Sequence, residues 1–332
     1  MKAIVLDGFG GAEVLRAEEI DAPEPGPDDV LIRAQATSVN RPDIVQREGR
    51  YPPPPGESGI LGLECAGTIE SLGNNVENFS VGDRVFALLG GGGYAELARA
   101  HAGHVMPIPD KLSFTEAACI AETYITAWMN LFGNAGLADG ETVLLHGGGG
   151  GVNTAAIQLV KTLCPASSVI VTASATKHER VRALGADHVI DYRASDFATE
   201  TSNLTAGGGA DVILDHIGQA YLEKNLRALA TGGRLVIIGI MSGGDAQLNL
   251  GRLLVRRQRI IGSVLRPRSQ KEKSKIIAEF SEAVMPLFAD GRIRPVVDRV
   301  LPLEAAAEAH RLMEASRHFG KIVLSMDSRD AG

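Results

Sequence analysis

TVLLHGGGGGVNTAAIQLVK, running from Thr142 to Lys161, decides the fold. Thr142–His146 is a short run of apolar and β-branched residues with Gly140 before it and five glycines after it, and it reads as a buried parallel strand. Val152–Leu163 then places Val152, Ala155, Ala156, Leu159, Val160 and Leu163 at helical spacing. Strand, glycine turn and helix in that order form the place where a dinucleotide pyrophosphate sits. Bare glycine backbone admits the phosphates, and the N–H groups and dipole of the helix N-terminus hold their charge. The fingerprint departs from its usual form at one position. In the frame Gly148-x-Gly150-x-x-Asn153, the third glycine, which lets helix and strand pack closely, is replaced by Asn153. A slightly more open or re-aimed turn is expected.

Downstream of this stretch the pattern keeps alternating. Apolar strands are expected at Val143–Leu145, Val169–Thr172, His188–Ile190, Asp211–Leu214, Arg234–Ile238 and Arg259–Val264, with helices at Val152–Leu163, Lys177–Leu184 and Tyr221–Ala230. The connections after the third and fifth strands are left open. Six strands with helical crossovers make a doubly wound, Rossmann-type parallel sheet. Beyond Arg266 come a helix (Glu272–Ala289), a strand (Pro295–Leu301), a helix (Glu304–Ala315) and a strand (Gly320–Ser325). That tail falls outside the six-strand count and is expected to return to the first domain.

Upstream, the first 120 or so residues change texture every few positions. KAIVL, VLIRAQATSV, GTIESLG, DRVFALL and YAELARA are strand-like, and EPGPDD, YPPPPGESG and LGGGGY are strong turns between them. Such punctuation suggests a compact β-barrel-like domain. A helix over Phe114–Phe132, opened by a Ser113/Glu116 capping box, is expected to lead into the second domain.

Composition sets outer bounds. At 332 residues, with 45% hydrophobic and 22% charged residues, the chain suits a globular protein of two domains. No apolar run approaches the roughly 18–20 residues that span a bilayer. MKAIVLDGFGG lacks a signal-peptide core, so a cytoplasmic location is expected. Cys65, Cys119 and Cys164 are too few for a disulfide framework. A net charge of −7 argues against nucleic-acid or membrane partners.

Cofactor preference is read at the end of the second strand. An NAD-binding fold places Asp or Glu there, about 20 residues past the glycines, to bond the ribose 2′-hydroxyl. Here the strand ends in Thr172-Ala173-Ser174-Ala175-Thr176-Lys177, and no carboxylate appears before Glu179. Small hydroxyl residues followed by Lys177 suit a 2′-phosphate, and Tyr192 and Arg193 can add a ring and a charge. NADPH is expected over NADH.

SVNRPDIVQREGRYPPPPG (Ser38–Gly56), LGLECAG (Leu61–Gly67), VGDRVFALLGGGGYAE (Val81–Glu96), LGADHVIDYR (Leu184–Arg193) and GKIVL (Gly320–Leu324), together with the glycine turn, resemble the zinc-free quinone oxidoreductases, the zeta-crystallin group of the medium-chain dehydrogenase/reductase superfamily. The resemblance implies a GroES-like β-barrel catalytic domain over residues 1–121 and 266–332 and a Rossmann domain over 122–265. It implies pyrophosphate contacts at Gly148, Gly150, Gly151, Val152 and the departing Asn153. Lys177 and Tyr192, with Ser174 by position, are implied at the 2′-phosphate, and Thr126 and Gly239-Ile240-Met241 on the nicotinamide side. It also implies a homodimer through Arg259–Val264, an apolar run that would otherwise be an unprotected edge.

A catalytic zinc needs three ligands from Cys, His or carboxylate. In the zinc-dependent relatives these come from a Cys near Asn40, the His of a GHExxG block and a residue near Glu122. This chain has Asn40 and Leu63 at the first two, and its three scattered cysteines cannot form a structural zinc site. No metal is expected, and Glu64 is read as a structural hydrogen-bonding residue. Hydride from NADPH then suits acceptors that are already electrophilic, quinones or conjugated enones. In the resembling motif Asn40 can donate to the acceptor's carbonyl oxygen, and Tyr51, in a proline-rich loop, can donate to it or protonate it. Asp43 is read as a structural partner of Arg41 or Arg47, His146 as a satisfied strand-end histidine, and the basic runs at Arg256–Arg259 and Lys271–Lys275 as solvated surface. Quinone reduction is therefore the leading expectation. An enoyl or alkenal C=C reductase is the alternative, and a non-catalytic NADPH- or RNA-binding crystallin-like protein is the alternative of another class.

Overall fold

A computed structural model describes residues 1–327 and separates the chain into two units. One comprises Met1–Ile125 with the segment from Leu265 onward, the other Thr126–Val264. The boundaries expected from sequence lie after residues 121 and 265.

In the first unit β1 (Lys2–Leu6) pairs antiparallel with β2 (Leu15–Glu19), a strand that the sequence pattern did not reveal because its last four residues lie exposed. There follow β3 (Asp29–Ser38), α1 (Arg41–Arg47), β4 (Glu64–Leu72), β5 (Arg84–Leu88), β6 (Leu97–His101) and β7 (Val105–Pro107). The helix expected over Phe114–Phe132 is broken. Ser113 and Glu116 form their capping box and start α2 (Phe114–Ala117), but α3 spans only Ala121–Trp128 and continues as a π-helical turn, Met129–Asn134. The side chain of Asn130 donates to the carbonyl of Thr126 at 2.8 Å, and the N–H of Ala135 reaches back to the carbonyl of Asn130 at 3.0 Å, five residues away. A polar side chain competing for the backbone carbonyl in this way widens the turn.

The second unit alternates as expected. β8 (Thr142–His146), α4 (Gly151–Leu163), β9 (Ser168–Ala173), α5 (His178–Ala183), β10 (His188–Asp191), α6 (Phe197–Leu204), β11 (Ala210–Asp215), α7 (Leu222–Ala228), β12 (Leu229–Ile237), α8 (Leu250–Val255) and β13 (Arg259–Gly262) follow in sequence. α6 and α8 fill the connections that had been left open. All six strands are parallel, in the order β10-β9-β8-β11-β12-β13. This is the doubly wound order, and the direction of winding reverses between β8 and β11. Val143, Leu144, Val169, Ile170, Val212 and Ile213 are wholly buried, as strands covered on both faces require. β13 stands at one edge of the sheet.

The chain then returns to the first unit through α9 (Gln270–Asp290), β14 (Val297–Pro302), α10 (Ala306–Glu314) and β15 (Lys321–Ser325). β15 pairs antiparallel with β3 and parallel with β14, so the tail closes the order β14-β15-β3-β4-β5-β7, with β6 also on β3. Among the described residues no helix is long and apolar enough to cross a membrane.

One buried arginine ties the second unit together. Arg234, on β12, donates to the carbonyls of Ala135 (2.9 Å) and Gly136 (3.2 Å) and forks onto Glu141 (2.7 and 2.8 Å). Arg234→Met leaves those carbonyls without this donor and Glu141 with only the Ala138 N–H, and a loss of about 2–3 kcal/mol in urea denaturation is expected, below the range for a fully buried pair because Glu141 is partly exposed. An unchanged midpoint would show that the loop after the π turn is held by packing alone.

Candidate active site

The ends of the parallel strands gather the residues expected at the nucleotide. β8 stops at His146, which is fully buried. Its Nε2 donates to Asn225 Oδ1 at 2.7 Å, its Nδ1 accepts from the Thr172 hydroxyl at 3.1 Å, and Phe197 and Tyr221 meet it edge-on. Burial pushes its pKa down to about 3, so it is a neutral, satisfied strand-end histidine. Gly147 follows at φ +75°, a left-handed conformation that favours glycine. A Cβ at Gly148 would lie 2.2 Å from Val171 Cγ1, so that position admits no side chain. Helix α4 then starts at Gly151; the N–H groups of Asn153 and Thr154 turn back to the Gly150 carbonyl at 3.1 and 2.9 Å, and those of Gly151 and Val152 come too early in the helix to find an acceptor within it.

Lys177 closes the short turn Ala175–Lys177 after β9, with Ser174 as its N-terminal flank. A Cβ on Gly149 would stand 2.5 Å from Lys177 Cδ and 3.0 Å from its Nζ, so the lysine lies along the glycine turn. Ser174 Oγ lies 3.4 Å from Thr176 Oγ1 in the same loop. Tyr192 follows β10, half-exposed, with the Arg193 guanidinium 5.7 Å from its ring centroid. Gly239-Ile240-Met241 follow β12, where Met241 N–H donates to the His216 carbonyl at 3.1 Å and Ile240 and Met241 are exposed. His216 was missed in the sequence. A Cβ at Gly147 would lie 2.8 Å from its Cε1, and one at Gly239 would lie 3.1 Å from its carbonyl oxygen, so it sits beside both loops. The Thr126 carbonyl is already engaged by Asn130. With no acid at the end of β9 and a lysine along the turn, this is an NADP-type dinucleotide site.

The first unit presents a buried polar cluster. Asn40 caps α1 with Asp43 in a capping box. Its Nδ2 donates to Glu64 Oε1 (2.9 Å) and to the Ser38 carbonyl (3.3 Å), and its Oδ1 accepts from Lys321 Nζ (2.5 Å). Both amide hydrogens are thus committed, and donation to a substrate carbonyl requires one of them to be exchanged. Glu64 is wholly buried and holds Ser38, Asn40 and Lys321 on one oxygen and the Glu122 N–H on the other. That is the structural role expected of it. Asp43 is also structural, but its partners differ from those expected. It accepts from the N–H groups of Asn40 (2.7 Å) and Gly62 (3.1 Å) and from Tyr94 Oη (3.2 Å), not from Arg41 or Arg47. Arg47 instead reaches His310 Nδ1 (3.3 Å) and Glu314 (2.5 Å). His310 Nε2 lies 3.1 Å from Tyr94 Oη, so donors run in one direction, Arg47 to His310 to Tyr94 to Asp43. Burial raises Asp43 to about 6 despite these donors.

Tyr51 is held by Arg266, a residue with no sequence signal of its own. The Arg266 guanidinium lies 5.2 Å from the Tyr51 ring centroid and donates to the carbonyls of Gly90 (2.8 Å) and Tyr51 (3.4 Å) and to Gln46 Oε1 (2.8 Å). Burial, then the Glu122 carboxylate, raises the Tyr51 phenol, while Arg266 opposes them. Glu122 keeps part of its surface accessible, yet the dense surroundings and then the neighbouring Glu64 push its carboxyl up to about 8. Among the described residues no group of three His, Cys, Asp or Glu side chains is placed to hold a metal ion.

A doubly wound NADP-type sheet carried with a strand-rich unit around a buried polar cluster defines a nicotinamide-dependent oxidoreductase of the medium-chain type. Residues 26–110 match the alcohol dehydrogenase GroES-like domain, and residues 184–324 match the zinc-binding dehydrogenase family. The quinone oxidoreductase of Lama guanicoe is 34% identical, covering 98% of this chain and 97% of its own. The synaptic vesicle membrane protein VAT-1 homolog-like of Mus musculus is 32% identical over 98% of this chain and 82% of its own. The structure of Escherichia coli quinone oxidoreductase complexed with NADPH superposes with a TM-score of 0.89 at 28% identity, over 98% of this chain and 100% of that one. The chain belongs to the quinone oxidoreductase/VAT-1-like family of the medium-chain dehydrogenase/reductase superfamily.

Glu122 gives this cluster a pH signature. Its folded pKa, about 8, lies above its ordinary value of 4.5, so the native chain binds the proton more tightly than the unfolded one. Stability therefore falls as pH rises between those values. Glu122→Gln cannot ionise, and its stability relative to the wild type is expected to increase between about pH 5.5 and about pH 8.5 in urea denaturation. A difference that does not change with pH would place the Glu122 carboxyl in a solvent-like setting.

Proposed function

We propose that this chain reduces quinones with NADPH and without a metal. The observation that carries this reading is Lys177 lying along the glycine turn at the end of a strand that bears no acid, which favours a 2′-phosphorylated nucleotide. Support for metal independence comes from the donor set. Leu63 and Asn40 stand where the zinc-dependent relatives carry ligands, and neither side chain can ligate as an imidazole or a thiolate does.

NADPH, when bound, supplies the hydride. Adding one hydride and one proton to a quinone gives the hydroquinone and leaves NADP⁺, so the protein must orient the acceptor and provide for the developing oxyanion. Tyr51 is the proposed donor to that oxygen, held in place by Arg266, and Glu122 beside it is a carboxyl that keeps its proton at neutral pH. Asn40 is proposed to orient the acceptor by exchanging one of its present partners. Thr126, Ser174, Tyr192 and Gly239–Met241 are proposed cofactor contacts, with Gly148, Gly150, Gly151 and Val152 at the pyrophosphate. Within the family the chain is proposed to be most like the human quinone oxidoreductase induced by the p53 tumour suppressor, and its Asn-Arg-x-Asp and Tyr-Pro-x-Pro-Pro-Gly motifs, specific at subfamily level, support that. The edge strand β13 supports a homodimer through Arg259–Val264, and three free, buried cysteines fit a reducing cytoplasm.

Initial rates of NADPH oxidation with 1,2-naphthoquinone and with a conjugated enone, chelator present, test the reading. Turnover that survives the chelator and is faster with the quinone is expected, with kcat falling about 10²-fold in Tyr51→Phe. Loss of activity to the chelator, or preference for the enone, would contradict the assignment.

A further inference from the structure

Asn153 stands where the dinucleotide fingerprint has its last glycine, in the first turn of α4, and is 2% exposed. A side chain at a point of close helix–strand approach must either force the elements apart or find partners. Asn153 finds them. Its Nδ2 donates to the carbonyl of His146, the last residue of β8, and to that of Gly147, the first residue of the turn, at 3.1 Å. Reversing the amide would set Oδ1 against two carbonyl oxygens, so its acceptors dictate its orientation.

The same backbone is gripped from the other side. The N–H groups of Gly147 and Gly148 donate to the Thr172 carbonyl at 3.0 and 2.9 Å, and Gly147 also lies 3.2 Å from the Thr172 hydroxyl. That hydroxyl in turn holds the ring of His146. Gly150 N–H closes the turn onto the Gly147 carbonyl at 2.9 Å. The chain leaving β8 is therefore bonded to β9 on one side and to α4 on the other, and Asn153 supplies the α4 side. Its Oδ1 is buried with no hydrogen-bond partner, a cost that glycine would not incur.

We infer that Asn153 is a positioning residue for the cofactor's pyrophosphate. It replaces close packing with a hydrogen-bonded strap that holds the turn in its phosphate-binding conformation before the cofactor arrives. The inference rests on the NADPH reading above. Restoring the usual glycine is then a loss in this chain.

Calorimetric titration of wild type, Asn153→Gly and Asn153→Ala with NADPH and with adenosine 2′-monophosphate, which has no pyrophosphate, tests this. In both variants the Kd for NADPH is expected to rise about tenfold, the effect of losing one or two net hydrogen bonds, while that for the monophosphate stays within about twofold. Asn153→Gly binding NADPH as tightly as the wild type would overturn the inference. So would equal weakening of both ligands, which would mean general loosening of the unit. A wild type that binds neither ligand would instead overturn the cofactor reading on which the inference rests.

Discussion

A diphosphate can approach a main chain only where side chains are absent, and that constraint shapes the end of β8. The strand has to deliver bare backbone at the point where the sheet reverses its winding. Gly148 cannot carry a Cβ because Val171 occupies the space, and Gly147 is left-handed. A turn with so few side chains has little to hold it in shape. The surrounding hydrogen bonds from Thr172, Asn153 and the locked His146 supply what packing does not.

The first unit solves a different problem. Its polar groups are buried, and a buried charge is tolerated only when its donors and acceptors are matched. Glu64 collects Ser38, Asn40, Lys321 and the Glu122 N–H, and Asp43 collects Asn40, Gly62 and the end of the Arg47–His310–Tyr94 chain. These bonds pin α1, and with it the loop that carries Tyr51, to the strands and to the returning tail. At Asp43 burial outweighs these donors and raises the carboxyl to about 6, and at Glu122 burial, then the neighbouring Glu64, raises it to about 8.

The parallel sheet was legible in the sequence because its strands are short apolar runs between glycines and helical patterns, a signal set by burial on both faces. α6 and α8 were not, since Phe197–Leu204 is mostly polar and Leu250–Val255 leaves Leu250, Leu254 and Val255 exposed and only Leu253 turned to the core. The helix after Ser113 was read too long, because nothing in its apolar pattern reports that the Asn130 side chain takes over a backbone carbonyl. In the candidate site, the placing of the glycines between β8 and α4 and of Lys177 just after β9 was legible in the spacing. Arg266, Lys321 and His216 were not. Each is an isolated polar residue whose role comes from contacts made far along the chain or across loops, as when Lys321 reaches Asn40 from the last strand.

The account depends most directly on a 2′-phosphate being recognised at the end of β9. Equilibrium titration of the wild type and of Lys177→Ala with NADPH and with NADH measures that recognition. NADPH is expected to bind at least about tenfold more tightly than NADH to the wild type, as one charge-assisted contact allows, and the preference should largely vanish in Lys177→Ala. Equal or tighter binding of NADH by the wild type would contradict the account.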